Sequence, residues 1–112
     1  MTAAPTVAGT PDPPYFAVIF TSVKRDDDGY GEVSRRMYEL ASSMPGFLGV
    51  ESARGEDGMG ITVSYWSSLE SIADWKRDLF HLEAQRLGRD KWYSSYVTRI
   101  AKVERAYDFS IE

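Results

Sequence analysis

The chain has no cysteine, no asparagine and a single histidine in 112 residues. Without cysteine it can hold no disulfide, zinc knuckle, iron–sulfur cluster or thiolate nucleophile. The lone His81 leaves too few ligands for a histidine-rich metal site, so no metal is expected. Positive charge is also in short supply. Lysine and arginine number 13 against 17 acidic residues, a net charge of −4 and a pI near 5.0. Nucleic-acid binders usually carry a basic surplus, because phosphate neutralisation supplies much of their affinity. Here the nearest candidate is Arg99, Lys102 and Arg105, interrupted by Glu104, which reads as a solvated strand face. No apolar run approaches the ~18–20 residues of a membrane span. The phosphate-binding, nucleophile-elbow and zinc-protease signatures are all missing. Asp26-Asp27-Asp28 lacks the later ligands of a calcium loop. Neither nucleotide nor metal chemistry is therefore expected, and no cofactor.

What remains is rich in rings. Seven tyrosines, five phenylalanines and three tryptophans sit in a chain that is 43% hydrophobic and 27% charged. That length allows one domain with one core. Residues 1–14 carry prolines at 5, 11, 13 and 14 and read as a disordered lead-in. They show neither the basic nor the apolar region of a secretory signal, so a cytoplasmic location is expected. The single folded domain is assigned to residues 15–112.

Its elements follow from periodicity. Tyr15 to Ser22 has the β-branched and aromatic density of a strand with two apolar faces. The aspartates 26–28 offer caps to a helix starting near Gly31, where Val33, Met37, Leu40, Ala41 and Met44 recur at helical spacing. Pro45-Gly46 ends it. Phe47 to Arg54 and Ile61 to Trp66 read as strands joined by an Asp57-Gly58 hairpin. Ser67 with Glu70 matches a capping box for a second helix. That helix continues, with little or no break, into a segment ending near Trp92. A last strand, Ser95 to Tyr107, alternates irregularly enough to imply a bulge.

The order β-α-β-β-α-β specifies an α+β, ferredoxin-like fold: a four-stranded antiparallel sheet with helices on one face. The first strand's second apolar face then needs a cover from outside the chain. A second copy packed sheet to sheet is the economical solution, so a homodimer is expected.

Several side chains could carry chemistry. Continuous helical periodicity places Lys76 between Ile72 and Phe80, inside the apolar sector. It either snorkels outward or holds an anionic or phenolate substrate. Trp75 is either a core anchor or a wall of a reactive site. His81 titrates near neutrality when unperturbed and is a candidate general base, or else a surface or capping residue after Asp78. Tyr65 and Trp66 point to opposite faces of their strand, and Tyr93 begins the last one. Phenols and indoles suit a flat aromatic ligand, by stacking and by hydrogen bonds from OH or NH.

The run Met44-Pro45-Gly46-Phe47-Leu48-Gly49, the strand Ile61 to Ser68, Trp75 nine residues after Trp66, and His81-Leu82-Glu83-Ala84-Gln85 resemble the antibiotic biosynthesis monooxygenase domain. The resemblance spans residues 15 to 107. It implies a dimeric α/β barrel with one pocket per subunit between sheet and helices. Some members of that family are cofactor-independent oxygenases of polycyclic phenols, in which the substrate's own carbanion reduces oxygen. By this resemblance His81 and Trp75 would be catalytic, and Lys76, Tyr65, Trp66 and Tyr93 would bind a small aromatic or quinol substrate. The alternative is a non-catalytic ligand-binding or interaction dimer of the same fold. Other members degrade haem with an asparagine on the first strand and a histidine ten residues after the tryptophan. Here Gln85 holds that position and asparagine is absent throughout, which argues against haem chemistry.

Overall fold

The computed structural model describes residues 7–111, the side chain of Leu79 excepted. Strand β1 (Tyr15–Lys24) leads into helix α1 (Tyr30–Ser43), and β2 (Phe47–Arg54) and β3 (Met59–Trp66) form a hairpin. Helices α2 (Leu69–Arg77) and α3 (Leu79–Leu87) follow, then a π-helical turn over Gly88–Trp92 and the long strand β4 (Tyr93–Val103). The strands pair antiparallel in the order β2-β3-β1-β4, the ferredoxin-like arrangement. Strand β4 begins two residues before the expected Ser95 and ends at Val103, short of Tyr107, and its bulge lies at Ser94, just ahead of the expected span, where the register with β1 shifts between Val23 and Lys24.

Turn chemistry sets the hairpin. Gly58 N–H donates to Gly55 O at 3.1 Å, and Asp57 Oδ1 accepts from Met59 N. Gly46 ends the α1–β2 connection at φ +86, a left-handed conformation that glycine adopts without steric cost. Its carbonyl accepts from Ser67 N at 2.8 Å, tying that corner to the end of β3.

Two caps differ from expectation. Gly29 occupies the N-cap of α1 without a side-chain bond, because Asp26 turns its carboxylate to Asp28 N instead. Helix α2 is capped by Ser68, whose Oγ accepts from Ser71 N at 3.0 Å, rather than by a Ser67–Glu70 box. More consequentially, the second helical region is broken. Asp78 leaves helical geometry and its Oδ1 accepts from Phe80 N and His81 N, opening α3 as a separate helix.

The core lies between the helices and one sheet face. Ala41, Trp66, Ile72 and Trp75 are buried there, with Phe16, Val18, Met37, Leu40, Met44 and Phe47 packed around them. Residues 7–14 form no strand or helix, yet Ala8 N–H donates to Glu51 and Thr10 Oγ1 to Tyr15 Oη. This lead-in therefore rests on the sheet face that the helices leave open. Residues 1–6 and 112 lie outside the described residues. No helix among those described is long and apolar enough to cross a membrane.

Candidate functional site

The helix-facing side of the sheet carries two aromatic clusters. At one end Phe47 meets Trp66 edge to face at 5.4 Å, Trp66 stacks on Trp75 at 6.1 Å, and Trp75 meets His81 edge to face at 4.7 Å. Trp66 Nε1 donates to Ser64 Oγ at 2.9 Å, so its buried indole is satisfied within β3. The imidazole stands differently. Its Nδ1 is buried with no hydrogen-bond partner among the described residues. Burial, reinforced by the nearby Lys76 charge and opposed by Asp78, lowers its pKa to about 4. At neutral pH His81 is therefore an uncharged imidazole with an unused polar atom.

At the other end, about 13 Å along β1 from Phe16 to Phe20, Tyr93 packs on Phe20, Tyr30 and Tyr96. Tyr93 Oη donates to Tyr30 Oη at 3.2 Å. Burial and that bond hold the Tyr93 phenol well above its usual range. Trp92 lies edge-on to Tyr30 and donates to Asp28 O at 2.9 Å. Val18, between the clusters on the same strand face, is only half-buried.

The expected site residues do not all converge. Trp66, Trp75 and His81 form one cluster, and Tyr93 stands on the same sheet side in the other. Tyr65 faces away, as its strand phase requires. Its hydroxyl donates to Glu51 Oε1 at 2.6 Å and its ring meets Tyr15 edge-on. Burial and the Glu51 carboxylate push its pKa up to about 12. Lys76 is exposed. Because α2 ends at Arg77, Phe80 belongs to another helix, and the apolar sector that would have enclosed Lys76 does not continue past it.

Two residues not singled out in the sequence contact expected site residues, Glu51 on the open face and Arg54 on the helix side. Glu51 accepts from both Tyr65 and Ala8, which hold its carboxyl below the usual range. Its place two positions off Tyr65 across the β2–β3 hairpin, and so on the same face, was readable from the hairpin register. Arg54 donates to Ser22 Oγ at 2.7 Å and lies about 6.0 Å from the Tyr93 ring centroid. Gly60 beside it made that passage possible: a Cβ there would lie 2.7 Å from Arg54 Nη2.

Among the described residues no group of three or more histidine, aspartate or glutamate side chains could hold a metal ion. A cavity of about 320 Å³ lies among the β1–α1 and β2–β3 loops, and one of about 120 Å³ beside Thr21 and Val97. None of the six expected residues lines either.

This fold is that of the antibiotic biosynthesis monooxygenases. SnoaB, a cofactor-independent oxygenase from Streptomyces nogalater, superposes with a TM-score of 0.71 at 11% identity, covering 84% of this chain and 97% of that one. A solved antibiotic biosynthesis monooxygenase superposes at 0.68 and 11% identity, over 79% of this chain and 97% of its own. No protein-family model matches the chain. YqjZ of Bacillus subtilis strain 168, an uncharacterized protein, is 57% identical over 97 residues, 86% of this chain and 85% of YqjZ. The chain belongs to the same family as YqjZ.

Proposed function

We propose that the chain is a cofactor-independent monooxygenase of a small phenol or quinol, bound between the helices and the sheet and working as a homodimer in the cytoplasm. The observation that carries this reading is His81: buried against Trp75, neutral at pH 7, with Nδ1 unpartnered. A buried polar atom without a partner costs ~1–3 kcal/mol, so a ligand hydroxyl that meets it recovers that cost. With its pKa near 4 the imidazole is a weak base. Its first task is to accept a hydrogen bond from the substrate hydroxyl. As the substrate anion forms beside it, the opposite charge raises the imidazole pKa and stabilises the transferred proton there.

The chemistry then belongs to the substrate. Loss of the hydroxyl proton gives a phenolate with carbanion character at a ring CH. That carbon adds dioxygen as a hydroperoxide, whose O–O bond breaks so that the C–H becomes C=O and the second oxygen atom leaves as water with the two protons. Trp75 holds the imidazole in place, Trp66 backs Trp75, and Tyr93 marks the far wall. Fold-level likeness to SnoaB supports the reaction class, at an identity that speaks only for the fold.

Oxygen consumption with a panel of phenols and quinols tests the reading. Turnover should fall ~100-fold or more in His81→Ala, and Trp75→Phe should lower it with ligand binding retained. Binding without turnover in the wild type would instead mark a non-catalytic ligand-binding dimer. Haem degradation is not proposed, since Gln85 and the absence of asparagine remove two of its required parts.

A further inference from the structure

We propose that Lys102 holds the carboxylate of an aromatic acid whose ring hydroxyl lies at His81, so that the substrate is a hydroxyaryl carboxylate rather than a neutral phenol. This rests on the phenol or quinol reading above and narrows its substrate class.

The pairing of β1 with β4 fixes where Lys102 stands. Phe16, Val18 and Phe20 lie opposite Lys102, Ile100 and Thr98, and directly opposed residues share a face of the sheet. Phe16 and Val18 pack against the core, so this face is the helix side. The helices cover it unevenly. Trp66 on β3 is fully buried and Val18 on β1 is half-buried, whereas Thr98, Ile100 and Lys102 on β4 are exposed, Ile100 to 45%. Because β4 is an edge strand, this leaves an open strip along the helix side. Val18 and Ile100 give the strip an apolar floor. Tyr96, packed on Phe20, closes one end. Lys102 stands at the other, in the row of Phe16 and Trp66.

That row brings Lys102 to the His81 cluster. Trp66 and Lys102 flank Phe16 on the two neighbouring strands, their backbones ~10 Å apart. Trp66 carries Trp75, and Trp75 carries His81. The charges that act on the imidazole are those of Lys76 and Asp78. Lys102 stands farther off, across the strip, which is the separation that a flat ring with opposed substituents needs.

The charge pattern favours an anion. Glu51 is the sole acid in the four strands, and it faces the open side with Tyr65. No strand carboxylate therefore neutralises Lys102 on the helix side. None of the ion pairs among the described residues includes it. Glu104, two positions on, lies past the strand end. At the far end of the same side Arg54 is engaged by Ser22 and Lys24 by Asp27. A carboxylate meeting an unpaired ammonium beside an apolar floor gains more than it would in bulk water. A neutral phenol leaves that charge unused.

The probe is 6-hydroxy-2-naphthoate, rigid and flat with hydroxyl and carboxylate at opposite ends, compared with its methyl ester by titration calorimetry on the full chain at pH 7. The wild type should bind the acid at least tenfold more tightly than the ester. Lys102→Met should abolish that preference by weakening the acid alone, with ester binding and circular dichroism unchanged. Lys102→Arg and Lys76→Met should both keep it. A preference that survives Lys102→Met, or that is lost in Lys76→Met instead, overturns the assignment and leaves the aromatic site standing. Equal binding of acid and ester by the wild type does the same. A wild type that binds neither overturns the assignment and the pocket reading together.

Discussion

His81 meets the face of Trp75 edge-on, ring centroids 4.7 Å apart and planes at 79°. The burial around that contact, with the nearby Lys76 charge, favours the neutral imidazole, and the consequence is measurable on a single resonance. As the chain's only histidine, His81 gives one Hε1 signal. It should stay flat from pH 8 to 5 and titrate near 4. A midpoint near 6.5 would show an imidazole in open solvent. Linkage gives the same shift a stability signature. The unfolded state takes up a proton between about 6.5 and 4 while the folded state does not. Folding stability should therefore fall as pH drops through that window, by on the order of 1–2 kcal/mol after partial solvent screening. His81→Phe should lack this slope in urea titrations.

Trp66 is the inner member of the stack and is fully buried between Phe47 and Trp75. Trp66→Ala removes its packing and strands the Ser64 hydroxyl, and should cost ~3–5 kcal/mol by equilibrium denaturation. Trp66→Phe should cost markedly less. Equal losses would mean that the indole is not closely packed.

The sequence made the sheet legible because each strand is bounded by a turn whose chemistry is explicit. Asp57-Gly58 fixed the hairpin, and its register put Trp66 and Tyr65 on opposite faces, as found. The helical region after Ser68 was less legible. Lys76 and Arg77 favour a continuing helix whereas Asp78 suits a cap, and their local preferences point opposite ways across the joint; the structure resolves them for the cap at Asp78. The site inherited that uncertainty. Lys76 was placed by a periodicity that stops one residue later, and Tyr65 was grouped with residues across the sheet from it. Arg54 could not be read at all, since its partners Ser22 and Tyr93 are 32 and 39 positions away in sequence.

The Tyr65–Glu51 bond predicts a different pH response on the open face. The Glu51 carboxyl is held below its ordinary 4.5 by Tyr65 and then by Ala8. Its stabilisation is present above that value and is lost as pH falls beneath it. Tyr65→Phe should destabilise by about 1 kcal/mol at pH 7, a modest figure because Glu51 is partly solvated. The wild-type advantage should shrink in acid. Phenolate absorbance should show one tyrosine titrating near 12 that vanishes in the variant.

Gly46 sits at φ +86, and a Cβ there would lie 2.7 Å from Ser71 Cβ. Gly46→Ala meets both a strained backbone and a neighbour at the start of α2. It should lose ~2–3 kcal/mol in thermal or urea unfolding. Gly31→Ala, with nothing within 4 Å, is the matched control and should be neutral or slightly stabilising.

The cap at Asp78 has a consequence for how this site can vary. Trp75 and His81 are six positions apart. On one uninterrupted helix that spacing is ~600° of rotation, which would leave the two rings some 120° apart around the axis. By ending one helix and beginning another, a single aspartate frees the imidazole from the indole's helical phase. The angle between two short rods, rather than a residue count, then sets how the rings meet. Such a joint lets one ring be repositioned by a change at the corner while the other stays anchored in the core.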